Sequence, residues 1–272
     1  MDILYSVLVL FGVGLLCAVL LSFASKYFAV KEEEKIEKIR EVLPQVNCGA
    51  CGFSGCDGYA KALALGETSK TNLCIPGGDG TAKEIAAILG VEASDVVEKV
   101  ACVSCNGTNL PDEKKYEYQG INTCRAAKLL YSGDNYCTFA CVGYGDCVKV
   151  CPRDAICLNE KGVASIDPRK CIGCGLCTTE CPSGLIKLIR DTERVVVVCN
   201  NHYKGAVVRR FCNNGCIACG KCEKSCPEGA IKVIDNLAVI DYDKCTACGI
   251  CKSVCPVGCI HEGNFICGAH FE

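Results

Sequence analysis

Cysteines recur in this chain at spacings suited to iron–sulfur clusters. Cys171, Cys174, Cys177 and Cys181 form a C-x2-C-x2-C-x3-C run closed by Pro182. Cys216, Cys219, Cys222 and Cys226 with Pro227 repeat it, as do Cys245, Cys248, Cys251 and Cys255 with Pro256. In such a run the first three thiolates hold one [4Fe–4S] cluster, and the fourth reaches a neighbouring cluster. Structural zinc does not need a third cysteine two residues further on. The first two runs are displaced by 45 residues at every ligand, which marks them as copies of one unit. Crossing the fourth cysteine gives three sets: Cys171, Cys174, Cys177 with Cys151 (centre 4); Cys216, Cys219, Cys222 with Cys255 (centre 5); and Cys245, Cys248, Cys251 with Cys226 (centre 6).

A further run is incomplete. In "CTFACVGYGDCVKVCP", residues 137–152, Tyr144 stands where the second ligand belongs. Cys137, four residues before Cys141, is the nearest free thiol, so centre 3 is expected to use Cys137, Cys141, Cys147 and Cys181. Upstream, Cys48, Cys51, Cys56 and Cys74 form centre 1 in a C-x2-C-x4-C-x17-C pattern. Gly49, Gly52 and Gly55 let the backbone wrap closely and aim amides at the sulfurs. The dispersed Cys105, Cys124, Cys199 and Cys212 are expected to close centre 2, with Cys102 competing for the place of Cys105. Cys17, Cys157, Cys259 and Cys267 read as packing residues, and His202, His261 and His270 as surface or capping residues.

Cysteine supplies 29 of the 272 residues, far outside ordinary globular usage. Disulfide scaffolds are typically short secreted domains, whereas these tight runs suit metal. The 50% hydrophobic fraction includes cysteine, so true core material is thin. Metal binding must then supply much of the folding free energy, and the apo chain should be largely unfolded. The net charge of −2 argues against nucleic-acid binding. With six clusters and their thiolates counted, it becomes roughly −14. There is no glycine-rich dinucleotide loop, phosphate loop, zinc-protease helix or nucleophile triad, so the chain moves electrons without a substrate-transforming site of its own.

These ligands need elements to hold them. Ile3 to Ser25 is a run of 23 residues without charge, about 35 Å as helix, enough for a transmembrane anchor. It has no basic residue before it, unlike a signal peptide, and Lys26, Lys31, Lys35, Lys38 and Arg40 follow it. That asymmetry puts the cluster domains on the cytoplasmic side of the cell (inner) membrane, as a single-pass protein. The expected fold is α+β, with an N-terminal transmembrane helix, a small helical [4Fe–4S] domain, and two bacterial two-cluster ferredoxin-like units. The boundaries are an anchor at 1–28, a charged linker helix at 29–45 and the N-terminal cluster domain at 46–95. Connecting segments with cluster ligands follow at 96–135 and 191–213, around ferredoxin-like units at 136–190 and 214–264. Residues 57–66 read as helix, "GVASIDPRK" (162–170) and "NLAVIDYDK" (236–244) as strands, and "GGDG" (77–80) as a turn.

In order, "NCGACGFSGCDGYAKA", "ACVSCNG", "CRAAKLL", "CVGYGDCVKVCPRDAI" and "CIGCGLCTTECP" resemble the B-subunit family of the Rnf complex, an ion-translocating ferredoxin:NAD⁺ oxidoreductase. The missing second cysteine resembles the many-cluster members of that family. The resemblance implies a component of a translocase that takes electrons from reduced soluble ferredoxin. It would relay them through its [4Fe–4S] clusters, six by the count of sets above, to partner subunits that carry flavin, bind NAD or lie in the membrane. The alternative is the iron–sulfur subunit of another membrane ferredoxin-linked reductase or hydrogenase. Electron input is expected at the C-terminal unit, with Lys204, Arg209, Arg210, Lys221 and Lys224 steering an acidic ferredoxin.

Overall fold

A computed structural model describes residues 2–27, 34–110, 114–190, 193 and 195–262. Helix α1 (Asp2–Tyr27) is a single element of 26 residues. Its described side chains, Val7 and those from Phe11 to Phe23, are exposed. Among the described residues no helix is long and apolar enough to cross a membrane.

The charged segment expected to act as a spacer packs instead. Helix α2 (Glu34–Val42) turns Ile36 and Ile39, with Leu43 beyond its end, onto one buried face. That face meets Tyr59 and Leu63 of α3 (Cys56–Ala64) and Ile85 of α4 (Gly78–Leu89), with Cys74 in the same core. "GGDG" is more than a turn, because Gly78 opens α4 and Asp79 accepts a hydrogen bond from the Val96 amide at 2.8 Å.

Beyond this helical piece the described residues form four two-stranded antiparallel sheets. Strand β1 (Lys99–Val103) pairs with β4 (Ile186–Arg190), and the hairpin β2 (Ile156–Leu158) with β3 (Ala164–Ile166) lies between the cysteine runs. The same plan recurs downstream, where β5 (Val195–Val197) pairs with β8 (Ile260–Glu262) and β6 (Ile231–Ile234) with β7 (Leu237–Ile240). Asp235 and Asn236 turn the last hairpin with φ of 47° and 60°, the left-handed pair that matches strand twist. Each ferredoxin-like unit thus takes its outer strand from the segment expected to be a connector. The core of each unit is thin. Val103, Ile156, Ile166 and Ile186 close around thiols in the first unit, and Val195, Ile231, Leu237 and Ile260 do so in the second.

Four short helices carry the third cysteine of each run: α6 (Asp146–Lys149), α7 (Leu176–Glu180), α9 (Lys221–Ser225) and α10 (Ile250–Ser253). A glycine in the left-handed region precedes each, as at Gly145 and Gly220 (φ 74° and 70°), where a side chain would be strained. Two more short helices, α5 (Cys124–Leu129) and α8 (Gly205–Val208), lie in the connecting segments. The two units touch where Cys102 is buried against Val196 and Val198, and where Arg190 Nη1 lies 3.9 Å from Asp243 Oδ1.

Candidate iron–sulfur centres

Described cysteines line the centres as follows. In the N-terminal domain, Cys48, Cys51 and Cys56 lie close enough to Cys74 to act on its charge. Burial first, then these three thiolates, push the Cys74 thiol up to about 11, against a hydrogen bond from the Gly77 amide. In the first ferredoxin-like unit, burial pushes Cys177 up to about 12, followed by the charges of Cys171, Cys174 and Cys151. These are the residues expected at centres 1 and 4. In the second unit Cys216, Cys219, Cys222 and Cys255 line one cavity, and Cys226, Cys245, Cys248 and Cys251 line another. The cysteines expected at centres 5 and 6 thus each line a single cavity, with Cys259 also at the first.

Centres 2 and 3 are regrouped, and the correction is an exchange. The structure gathers Cys105, Cys137, Cys199 and Cys212 around one cavity. It gathers Cys124, Cys141, Cys147 and Cys181 around another. Cys137 and Cys124 have traded the places expected from sequence. Two sets of contacts explain why. Phe139 packs edge-on against His202 (5.2 Å between centroids) and Tyr203 (5.3 Å), and Tyr203 packs against Phe211 (5.8 Å). The Thr138 and Tyr203 hydroxyls are hydrogen-bonded at 2.8 Å, so Cys137 is clamped to the segment carrying Cys199 and Cys212. Meanwhile the start of α5 docks on the first unit. The Arg125 amide donates to Asp146 Oδ2 (3.3 Å) and its guanidinium lies 3.7 Å from Glu180, which sets Cys124 beside Cys147 and Cys181.

Where Tyr144 interrupts the run, the thiol of Cys124 on α5 lines the cavity with Cys141, Cys147 and Cys181. The Tyr144 backbone amide, with that of Asp146, points at the Cys124 sulfur. Its side chain turns away and donates from the hydroxyl to Asp134 Oδ2 at 3.0 Å. Asp134 is fully buried and also paired with Lys114 Nζ at 2.7 Å. The neighbouring Asn135 donates to the Cys141 carbonyl at 2.7 Å, so this polar knot braces the incomplete run.

The surroundings of these thiols fit iron–sulfur clusters. Burial and mutual repulsion hold Cys137, Cys141 and Cys147 up to about 12, so a buried set of four thiolates needs a multivalent cation to offset its charge. Backbone amides donate to sulfur at equivalent places in the repeats: Ala155 to Cys151 (3.3 Å), Leu185 to Cys181 (3.5 Å) and Ala230 to Cys226 (3.3 Å). At centre 2 a Cβ on Gly107 would lie 3.7 Å from the Cys105 sulfur and 3.9 Å from that of Cys212, filling the cradle. Among the described residues no set is drawn in tightly enough to hold a single metal ion, and those of centres 2, 3, 5 and 6 each surround a cavity.

The sets also adjoin one another. Cys48 of centre 1 acts on Cys174 of centre 4, and Cys177 of centre 4 on Cys147 of centre 3. The Cys141 amide of centre 3 reaches Cys105 of centre 2, the Cys216 amide of centre 5 donates to Cys199 of centre 2 at 3.3 Å, and Cys222 of centre 5 shares one buried cluster with Cys251 of centre 6. Their spatial order is therefore 1–4–3–2–5–6, which differs from the chain order. Cys259 is not a packing residue alone: its sulfur lies 3.7 Å from Cys255 and hydrogen-bonds Cys216, holding the Cys216 thiol down to about 6. Only its position four residues after Cys255 signals this in the sequence. Cys102 is buried between the units, Cys17 is exposed, and Cys157 is half-buried on β2. His202 contacts Asp235, and the His261 ring approaches the Gly258 carbonyl. Cys267 and His270 lie outside the described residues.

This fold and these thiols define a polyferredoxin, an electron-transfer protein built from repeated cysteine-held centres. Residues 135–185, 170–231 and 210–261 match families described as "4Fe-4S dicluster domain", and residues 43–76 match "Putative Fe-S cluster". The B-subunit of the Na(+)-translocating ferredoxin:NAD(+) oxidoreductase complex of Acetobacterium woodii is 42% identical over 85% of this chain and 69% of its own length. The B-subunit of the proton-translocating ferredoxin:NAD(+) oxidoreductase complex of Clostridium ljungdahlii is 38% identical, covering 84% of this chain and 81% of that one. Its counterpart in the ion-translocating oxidoreductase complex of Methanosarcina acetivorans is 40% identical over 88% and 90%. The chain belongs to this family, the B-subunits of the Rnf, or ion-translocating ferredoxin:NAD⁺ oxidoreductase, complex.

Proposed function

We propose that this chain is the electron relay of such a complex, receiving electrons from reduced ferredoxin and handing them to partner subunits. The observation that supports the reading is that the thiol groups adjoin one another, from Cys48 to Cys174, Cys177 to Cys147, Cys141 to Cys105 and Cys199 to Cys216, with Cys222 and Cys251 in one buried cluster. Each [4Fe–4S] cluster supplies a centre that takes up one electron at a time. The chain's own part is to hold four thiolates per centre, to exclude water by burial, and to aim amides at the sulfurs. The amides at Ala155, Leu185 and Ala230 stabilise the more negative form of their centres. The ligand sets are Cys48, Cys51, Cys56, Cys74 at centre 1; Cys105, Cys137, Cys199, Cys212 at centre 2; and Cys124, Cys141, Cys147, Cys181 at centre 3, with centres 4, 5 and 6 as expected from the repeats.

On the sequence alone, the uncharged run of residues 3–25 is the membrane anchor, with the cluster domains on the cytoplasmic face because the basic residues follow that run. Centre 1 then stands nearest the membrane and centre 6 furthest from it along the series. Iron, acid-labile sulfide and zinc per chain, measured on anaerobically purified protein, test the reading. Six centres require about 24 iron and about 24 sulfide. Stoichiometric zinc with little iron would overturn it.

A further inference from the structure

The centre 2 set, which contains no cysteine run, adjoins an open groove. The groove holds about 630 Å³ and is lined by Lys161, Arg210, Tyr136, Phe211 and Thr108, with Cys212 beneath. Tyr136, Phe211 and Cys212 also line the cavity of centre 2, so groove and centre are continuous. No carboxylate lines the groove among the described residues. Lys161 and Arg210 are exposed, and neither side chain has an ion pair among the described residues. The loaded chain carries a net charge of roughly −14, so an acidic protein needs a locally cationic face to approach it. This opening is cationic, has no carboxylate among its described lining residues, and adjoins a thiol set.

We propose that this groove is the docking face for the acidic electron-carrier protein, which presents its redox centre to the Cys105–Cys137–Cys199–Cys212 set in the middle of the series. The inference rests on the relay reading and moves the site of electron input away from the C-terminal end. Of the basic stretch expected to steer the carrier, only Arg210 lines the groove. Lys161, distant in sequence, is its partner, and Lys221 and Lys224 sit on α9 of the second unit. The aromatic rings of Tyr136, which is 54% exposed, and Phe211 give the groove an apolar wall for close contact. The exchange transfers one electron from the reduced carrier, with no bond formed or broken.

The test uses the full-length, cluster-loaded chain and a purified two-cluster ferredoxin, measuring the Kd of the oxidised form across a salt series and KM against kcat for the reduced form. Lys161→Glu/Arg210→Glu is expected to raise Kd and KM at least tenfold at low salt and to flatten the salt dependence, with kcat within twofold. Iron per chain reports whether the variant is folded, and Lys161→Gln/Arg210→Gln gives a smaller shift in the same direction if the double reversal loses iron. Kd and KM within twofold of wild type overturn the groove. So does a tenfold weakening that appears with Lys221→Glu/Lys224→Glu instead. A wild-type chain that neither binds ferredoxin nor takes electrons from it overturns the relay reading, whatever the groove variants do.

Discussion

Replacing Tyr203 probes the contact set that moved Cys137 into centre 2. The ring packs against Phe139 at 5.3 Å and Phe211 at 5.8 Å, and its hydroxyl bonds that of Thr138 at 2.8 Å. Each aromatic pair contributes about 0.5–1.5 kcal/mol, and the hydrogen bond adds about 1 kcal/mol. Tyr203→Ala therefore removes about 2–4 kcal/mol from the clamp, which corresponds to a thirtyfold to nearly thousandfold weaker hold on Cys137 at about 1.4 kcal/mol per decade. Tyr203→Phe keeps both ring contacts and loses only the hydroxyl, about 1 kcal/mol, or roughly fivefold. The assay is iron release from anaerobic protein to a chelator, followed by absorbance near 400 nm. Tyr203→Ala should release about four of about 24 irons rapidly and the rest at the wild-type rate, with Tyr203→Phe only slightly faster than wild type. Uniform release of all iron, or no fast phase in Tyr203→Ala, would refute the clamp as the reason for the exchange.

Cys124→Ala should abolish centre 3 and spare centre 2, and Cys137→Ala the reverse; electron paramagnetic resonance of the reduced proteins separates the two, and the opposite assignment would restore the grouping expected from sequence. Asp134→Ala strands Lys114 in a side-chain environment only 18% exposed and frees the Tyr144 hydroxyl, so it should cost about 3–5 kcal/mol in denaturant unfolding while Tyr144→Phe costs about 1 kcal/mol. Ile39→Ala leaves a void in a fully buried site and should destabilise the N-terminal domain by about 2–5 kcal/mol, with faster loss of iron from centre 1; a neutral result would return α2 to the status of a spacer. Anaerobic removal of iron should collapse the far-ultraviolet signal of the ferredoxin-like units, because their cores consist largely of thiols around the centres.

Whatever depends on local spacing is legible in the amino-acid sequence. A C-x2-C-x2-C-x3-C-P run brings its own turns, its left-handed glycine and its short helix, so Cys171, Cys174 and Cys177 are placed by neighbours a few residues away. The crossed fourth cysteine at Cys226 and Cys255 is legible because the repeat itself encodes it, and the hairpins between runs announce themselves as β-branched pairs around turn residues. Long-range packing settles the rest. That β1 and β5 complete the units cannot be read from strands of five and three residues whose partners lie far along the chain. Nearness along the chain favours Cys137 for centre 3, whereas in the structure Cys124 lines that cavity. In space, a ring stack at Phe139 and Tyr203 pulls that thiol one way, and contacts from Arg125 to Asp146 and Glu180 bring Cys124 in from the other. A thiol carries no mark of which set it will join. Its place is chosen by side chains that pack only once distant segments have met, and for that reason the order 1–4–3–2–5–6 belongs to the folded chain alone.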